Sequence, residues 1–360
     1  APTWTYTFTQ SGIYTVGVLI TNTFGEASAA ITVPVRGCEA RVASSGQVYT
    51  DVQAAIDAAP SGGIVQISGA CRGVAARGGL TQTAYVSQSL TLRGGYPGLG
   101  DWSAPDPAAY PTILDAQNAG RALTVIGPAT VTVEGLTLTG GNANGLGGIG
   151  GGVYLSGATV TLTNCAVVSN TVTTSGGRGG GVAIAGGNVV IANSRLAFNR
   201  ADDGDDYTYE YGGGLYASGG TVQVLHSELS NNHTRYGSGA YLTQNGDFTF
   251  TGNTISQNTL AWGGTAGGIY LNEGALRFED NIVEANGGEG VYAQGAGLWV
   301  AGNTFRNQDG RALYLDGDGL TVQNNTLLSN RQGMEIRGTG LIAGNTISGT
   351  WDSNYMYPGA

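Results

Sequence analysis

The chain has 360 residues, of which only 11% are charged, whereas about a quarter are charged in ordinary globular domains. Its net charge of −10 argues against nucleic-acid binding, because little positive charge is available to neutralise phosphates. All 15 basic residues are arginine, so chemistry that needs a lysine of this chain is excluded. No apolar run approaches the roughly 18 residues that would span a bilayer.

Residues 1–36 alternate between apolar and polar side chains, which predicts β-strands with turns at Ser11-Gly12 and from Asn22 to Gly25. The run Tyr6-x-Phe8, Gly12-x-Tyr14-x-Val16-x-Val18 and Asn22-x-x-Gly25 resembles the last strands of a polycystic-kidney-disease-type (PKD) immunoglobulin-like domain. Only half of such a sandwich matches, which would leave an apolar face and open strand edges. Either the chain is a piece of a longer multidomain protein, or these strands pair elsewhere, on the rest of the chain or on another copy.

The next segment predicts a cap for the fold that follows. Residues 51–59 have apolar residues at helical spacing, and the Pro60-Ser61-Gly62-Gly63 run ends the helix. Strands are expected at residues 64–68, 85–86, 90–93 and 123–126, around an irregular insertion from Gly94 to Pro111. Cys38 and Cys71 bracket the start of this region, and both a disulfide and two free thiols stay open at this point. Cys165 is expected to be a small buried hydrophobe.

Two short phrases recur through the second half of the chain. The Gly-Gly-apolar-Tyr phrase and its variants begin at Gly151, Gly180, Gly213, Ser238, Gly267 and Glu289. The apolar-x-x-Asn phrase ends at Asn170, Asn199, Asn232, Asn258, Asn286 and Asn330. A repeat of about 30 residues, falling to about 22, predicts a solenoid, because one repeat cannot bury its own apolar face. Residues 37–350 are therefore expected to form roughly nine to eleven coils of three parallel strands, followed by a tail at 351–360.

These phrases also resemble a known family. The helix together with the runs "SLTLRGGYPG" and "VEGLTLTGGNA" looks like the start of right-handed parallel β-helix repeat proteins of bacterial surfaces. The paired phrases are similar to the repeats of polymorphic outer membrane proteins, and the likeness spans roughly residues 40–350. The resemblance implies an all-β fold, a right-handed parallel β-helix of three sheets, on a bacterial secreted or cell-surface protein.

Strand alternation places Val153 and Leu155 inside and Tyr154 outside, so the repeat predicts an outward row of tyrosines. The row comprises Tyr154, Tyr216, Tyr241, Tyr270, Tyr292 and Tyr314. Such a row could bind sugars or a partner chain, or could stabilise the sheet by cross-strand stacking. Asparagines near the third corner are expected to form stacked amide ladders. They are Asn164, Asn193, Asn253, Asn281, Asn303, Asn325 and Asn345, with His226 at the same position in its coil.

Long insertions leave the coil just after the apolar-x-x-Asn phrase and should crowd together at one corner, the expected contact surface. They are residues 171–179, 200–212, 233–238 and 259–266, and they carry Tyr207, Tyr209, Tyr211, Tyr236 and Trp262. One insertion holds the densest acidic cluster, whose oxygen ligands suit Ca²⁺. Its members are Asp202, Asp203, Asp205, Asp206 and Glu210, and a merely solvated acidic loop is the alternative.

Many parallel β-helices cleave polysaccharides, so an active site has to be considered. Hydrolysis needs two converging carboxylates, and the sequence places only the pairs Arg195–Glu228 and Glu284–Arg306 on neighbouring coils, with no adjacent acids. No catalytic residue is assigned and no organic cofactor is expected. The sequence therefore predicts a structural or adhesive solenoid that self-associates, as a filament, through residues 1–36 and its open coil ends. Glycans and surface proteins are further expected partners. A polysaccharide-binding protein, lyase or hydrolase is the alternative.

Overall fold

The computed structural model describes residues 12–144, 147–205 and 208–351. Its first element is an antiparallel hairpin of two strands, Gly12–Asn22 and Gly25–Val35. The turn lies where the sequence predicts it, while residues 1–11 lie outside the described part of the chain. No residue of the hairpin belongs to the hydrophobic clusters found among the described residues.

A short antiparallel region and one helix close the first coil. The strands Glu39–Val42 and Val48–Tyr49 pair with each other, and the former also pairs with Gly63–Ser68. The helix Val52–Ala58 buries Val52, Ala55 and Ile56 against the core, and the carboxylate of Asp51 caps it by accepting a hydrogen bond from the Ala54 amide at 2.9 Å. A disulfide joins Cys38 to Cys71 across a separation of 33 residues.

The rest of the described chain winds through three stacks of parallel strands. The first stack contains Leu80–Val86, Arg121–Ile126, Val153–Ser156, Val182–Ala185, Leu215–Ser218, Val291–Gln294, Arg311–Asp316 and Gln332–Arg337. The second contains Gly63–Ser68, Leu90–Arg93, Thr130–Glu134, Thr159–Thr163, Asn188–Ala192, Thr221–Leu225, Trp299–Ala301, Leu320–Gln323 and Gly340–Ala343. Two longer strands, Ala240–Thr251 and Ile269–Glu279, run through both stacks and join them into one sheet. A small strand, Ala75–Arg77, pairs antiparallel with Leu80–Val86.

The third stack is an eleven-stranded sheet of short strands. It contains Ala70–Arg72, Thr112–Asp115, Leu136–Thr139, Ala166–Val168, Arg195–Ala197, Glu228–Ser230, Thr254–Ser256, Ile282–Glu284, Thr304–Arg306, Thr326–Leu328 and Thr346–Ser348. Eleven strands within the described residues agree with the predicted number of coils. The three stacks enclose one continuous apolar core, in which the rings of Phe250, Phe278 and Phe305 lie above one another about 6 Å apart.

Two ladders of buried amides follow the corners of the coil. The ladder beyond the third strand runs through Asn170, Asn199, Asn232, Asn258, Asn286, Gln308 and Asn330. In every step up to Gln308, as from Asn170 to Asn199, the backbone and side-chain amides donate to the side-chain oxygen of the next coil, and the side-chain amide also donates to a strand carbonyl. In the last step the backbone amide of Gln308 donates to Asn330 Oδ1, and its side-chain amide donates to two carbonyls. Because these donors are satisfied inside the stack, the corners can be buried without an unpaired polar group.

The ladder that the sequence predicts at the other corner is right in the later coils and wrong in the earlier ones. It runs through Asn253, Asn281, Asn303, Asn325 and Asn345, but Asn164, Asn193 and His226 do not take part. These three residues have φ angles of 52, 48 and 47°, and the ladder positions that follow them hold Cys165, Ser194 and Ser227. Asn and His tolerate the left-handed region, so they occupy the turn position one residue before the ladder.

The insertions that follow the apolar-x-x-Asn phrase are more ordered than loops. They begin as strands and form a fourth parallel sheet, which the sequence analysis did not predict. Its strands are Thr171–Val172, Arg200–Ala201, His233–Tyr236 and Thr259–Thr265. Among the described residues, no helix is long and apolar enough to cross a membrane.

Candidate functional site

The tyrosine row lies on the outer face of the first stack, in register from coil to coil. Tyr216 pairs with Tyr241, Tyr241 with Tyr270, Tyr270 with Tyr292, and Tyr292 with Tyr314, while Ala183 separates Tyr154 from the rest. Ring centroids in this run lie 5.8, 5.1, 4.7 and 4.4 Å apart with interplanar angles of 6–17°. Each inner ring is therefore stacked on both faces.

This stacking has a chemical consequence for binding. A sugar that stacks on an aromatic side chain needs a free ring face, but the faces in the run from Tyr216 to Tyr314 are covered by neighbouring rings. Burial, together with the neighbouring hydroxyls of Tyr292, Tyr236 and Tyr211, raises the pKa of Tyr270 to about 12. The geometry favours cross-strand stabilisation as the role of the row.

A second layer of side chains covers one end of the row. Tyr211 and Tyr236 lie 4.6 and 6.0 Å, centroid to centroid, from Tyr241 and Tyr270, respectively. Together with Ile149 and Ala183 they form a hydrophobic cluster separate from the main core. Sequence reasoning missed Ile149, although it stands two residues before the first Gly-Gly-apolar-Tyr phrase.

The corner formed by the fourth sheet and its following loops, here called the aromatic corner, exposes other aromatic residues. Trp262 is 72% exposed and Tyr209 is 57% exposed. Tyr209 stacks on Tyr236 with centroids 5.9 Å apart, and the strand of Tyr236 pairs with the strand that carries Trp262. Arg235 lies 5.2 Å from the Tyr209 ring centroid. A groove of about 260 Å³ lies between Tyr209 and the tyrosine row. Tyr207 lies outside the described residues.

The acidic loop follows the second strand of the fourth sheet. Carboxylate oxygens of Asp202, Asp203 and Glu210 all lie within 4.8 Å of one another. Asp205 is not part of this group, although its backbone amide donates to Asp203 Oδ1 at 2.8 Å, and Asp206 lies outside the described residues. The structure thus brings together three of the five acidic residues that the sequence singles out.

Asp202 has partners that the sequence analysis missed. Arg200 Nη2 and His233 Nε2 lie 2.5 and 3.1 Å from Asp202 Oδ2, and the Gly204 amide donates to Oδ1 at 2.9 Å. Burial opposes the charge of Asp202, but the bonds from Gly204 and Arg200 outweigh it and lower the pKa. Arg200 follows the ladder residue Asn199, and His233 follows Asn232, so the two occupy the same position on successive coils. That shared position is the sequence signal from which their proximity could have been predicted.

The third stack carries a groove of about 690 Å³ on its outer face, beside the insertion from Gly94 to Pro111. Asn164, Asn193 and His226 line it in successive coils, together with an ion pair in which Arg195 Nε lies 3.3 Å from Glu228 Oε2. A second predicted pair, Arg306 Nη2 and Glu284 Oε2, lies 2.7 Å apart. Both pairs are substantially exposed.

Comparison with known proteins supports the architecture. A family model described as the right-handed beta helix region matches residues 117–305 and, in an overlapping second match, residues 238–354. A search of curated proteins finds no match. A search of solved structures finds none either.

Proposed function

Because the chain belongs to the right-handed β-helix family, we propose that it is an extracellular structural and adhesive solenoid that contacts surface glycans through the aromatic corner. The observation that carries this proposal is the exposure of Trp262, on a strand of the fourth sheet, and of Tyr209, whose ring stacks on Tyr236 of the same sheet. Exposed aromatic side chains offer large apolar areas with a polar tip, and attachment to a strand of the fourth sheet lowers the cost of ordering Trp262 on binding.

Two further observations support an extracellular location. The disulfide between Cys38 and Cys71 favours an oxidising compartment. The likeness of the repeat to polymorphic outer membrane proteins, and of residues 1–36 to part of a PKD-type domain, points to the same location.

The proposal is tested by measuring binding of the full chain to immobilised surface polysaccharides and to whole cells. We expect binding that falls about tenfold or more in Trp262→Ala and in Tyr209→Ala, since each removes a stacking surface. Trp299→Ala is the matched control, because Trp299 is a partly exposed tryptophan on the outer face of the second stack. Binding that is absent in the wild type, or equal in all variants, contradicts the proposal.

A cleavage assay with the same purified protein tests the enzymatic alternative. If the wild type cleaves a uronic-acid polymer and Glu228→Gln abolishes the cleavage, a lyase or hydrolase replaces the adhesive proposal. Glu228 is the residue to change because it lines the groove on the third stack beside Arg195.

Self-association is a second proposed property, and the hairpin carries it. The register places Tyr14, Val16, Val18 and Ile20 opposite Val33, Ile31, Ala29 and Ala27, so that one face is apolar along its whole length. Val18 and Ile20 are 56 and 64% exposed, and both outer edges of this two-stranded sheet are unpaired among the described residues. An isolated hairpin is marginal in water, and a second copy offers an identical apolar face with the same open edges.

Sedimentation over a range of concentrations tests this property. We expect oligomers of the wild type that are lost in Val18→Ser, because a polar side chain on the apolar face disfavours its burial. Leu19→Ser, which changes an equally exposed residue on the opposite face, should leave the oligomers intact. A wild type that stays monomeric at high concentration contradicts self-association and leaves glycan binding untouched.

A further inference from the structure

The three acidic side chains at the base of the aromatic corner lie closer together than like charges ordinarily do. Their oxygens lie within 4.8 Å of one another, Asp202 is 5% exposed and Glu210 is 1% exposed. Repulsion between carboxylates grows as they leave water, so this arrangement needs a positive counter-charge. The guanidinium of Arg200 provides a positive charge, but its ion pair is with Asp202.

The hydrogen bonds within the loop are distributed unevenly among the three acids. Asp202 accepts from Arg200 and Gly204 and contacts His233. Asp203 Oδ1 accepts from the Asp205 amide and the Thr208 hydroxyl, each at 2.8 Å. Glu210 Oε1, in contrast, is buried without a hydrogen-bond partner in the part of the chain that the structure describes. Buried polar atoms are nearly always partnered, by protein, water or ions, so an orphaned carboxylate oxygen on a side chain that lies beside two other carboxylates indicates a ligand position.

A proton or a cation could satisfy Glu210. Burial raises the pKa of Glu210, and the charges of Asp203 and Asp202 raise it further, although hydrogen bonding from Thr208 and from the Gly176 backbone opposes this. A proton would relieve Glu210 alone and would leave two neighbouring carboxylates charged. A divalent cation bound by all three would offset their repulsion together. Hard oxygen donors on an irregular, glycine-containing loop suit Ca²⁺ better than Mg²⁺, which requires a stricter octahedron.

We propose that Asp202, Asp203 and Glu210 bind one Ca²⁺ ion through their carboxylate oxygens and thereby fix the loop that carries Tyr209. This inference is independent of what the aromatic corner contacts. The ion would connect the start of the loop, just after the strand Arg200–Ala201, to its end, just before Tyr211. Tyr211 forms a parallel bridge with Tyr236.

The test uses the full chain after treatment with a chelator, followed by calorimetric titration with Ca²⁺ up to about 10 mM. We expect one Ca²⁺ per chain and a melting temperature that rises with free Ca²⁺, as mass action requires. Tb³⁺ serves as a second probe, since it takes Ca²⁺ sites and emits when a nearby tyrosine is excited, and Tyr209 and Tyr211 flank Glu210 in the chain.

Glu210→Gln preserves the shape of the side chain and removes its charge, so it should weaken Ca²⁺ binding about tenfold or more and abolish the Tb³⁺ emission. Asp203→Asn provides a second variant at a more exposed position, in case the buried substitution impairs folding. Asp318→Asn is the control, because this aspartate lies in an Asp-Gly turn of another coil, where it accepts a hydrogen bond from Thr339.

Two results would overturn the proposal. One is a wild type whose melting temperature and titration heats are the same with Ca²⁺ and with chelator. The other is Ca²⁺ binding that Glu210→Gln and Asp203→Asn leave unchanged, which would place the ion elsewhere. If the wild type binds no Ca²⁺ and Glu210→Gln melts higher than the wild type in chelator, the carboxylates repel one another with no ion between them and the site is not a cation site.

Discussion

The solenoid and the hairpin are built from strands with the same two-residue alternation, yet they bury their apolar side chains to opposite extents. Val153 and Leu155, in a strand of the first stack, are at most 1% exposed. Val18 and Ile20, in the first strand of the hairpin, are 56 and 64% exposed. The difference lies in what stands on either side of each strand. A strand of the coil has a parallel neighbour above and below and two further stacks across the core, whereas each hairpin strand has one neighbour.

In a solenoid, therefore, apolar side chains are buried by the stack of coils and not by the single strand that carries them. Each coil contributes a few apolar residues, and its corners can be buried only because the amide of one coil, such as Asn258, is satisfied by the amide of the next, Asn286. The hairpin has no comparable stacked partner among the described residues, so its apolar face stays in contact with solvent.

The largest predicted change in the free energy of unfolding comes from a substitution in the core of the solenoid, and a substitution in the hairpin should have almost none. Phe278 is fully buried between Phe250 and Phe305, so Phe278→Ala should lower the free energy of unfolding by about 3–5 kcal/mol. Val18→Ala in the hairpin should change the solenoid transition by less than about 0.5 kcal/mol. Urea unfolding followed by circular dichroism measures both. A comparable loss in the two variants would mean that the hairpin packs on the coil.

A smaller loss is expected from opening an amide ladder. Asn258→Ala removes the acceptor of the Asn232 amides and the donor to the Leu229 carbonyl, leaving buried groups unpaired. We expect a loss of about 2–3 kcal/mol, measured by the same unfolding experiment. Asn188→Ala, at an exposed strand position, is the control and should cost less than about 0.5 kcal/mol. Equal costs for the two would indicate that the ladder adds no stability.

The smallest effect concerns alkaline pH. The pKa of Tyr270 is raised to about 12 by burial, whereas an unfolded tyrosine titrates near 10. Below about pH 10 both states hold the proton and the stability is unaffected; between about pH 10 and 12 only the unfolded state loses it, so the free energy of unfolding falls. Unfolding measured across this range should show the fall, and Tyr270→Phe should reduce it. Ultraviolet titration showing that every tyrosine of the folded protein ionises near 10 would contradict the prediction.

Much of the fold could be predicted because it depends on local periodicity. The strands, the helix and the approximate number of coils follow from alternation and from the repeat of the two phrases. The early part of the ladder that runs through Asn253 and Asn281 could not be placed, because two adjacent corner positions both favour asparagine. One is a left-handed turn position, as at Asn164, and the other is the ladder position that Cys165 takes in that coil. Only the path of the backbone distinguishes them.

The candidate sites, too, could be predicted only in part. The sequence indicated the acidic loop and the aromatic corner as clusters, but not which members converge. Asp202 meets Arg200 and His233 because the residues after successive ladder asparagines stack in a fourth sheet. Asp205 is two residues from Asp203 and yet does not join the group, since the loop turns back on itself between them.

The solenoid, its inward apolar positions and the outward side of the tyrosines can all be read from the chain, because alternation along a strand is a property of each residue and its nearest neighbours. The three-dimensional arrangement adds that the tyrosine rings cover one another's faces, that the insertions pair as a sheet and that Glu210 is buried beside two other carboxylates. Those outcomes depend on distances between coils, which arise when residues about 22 to 33 positions apart come to lie one above the other.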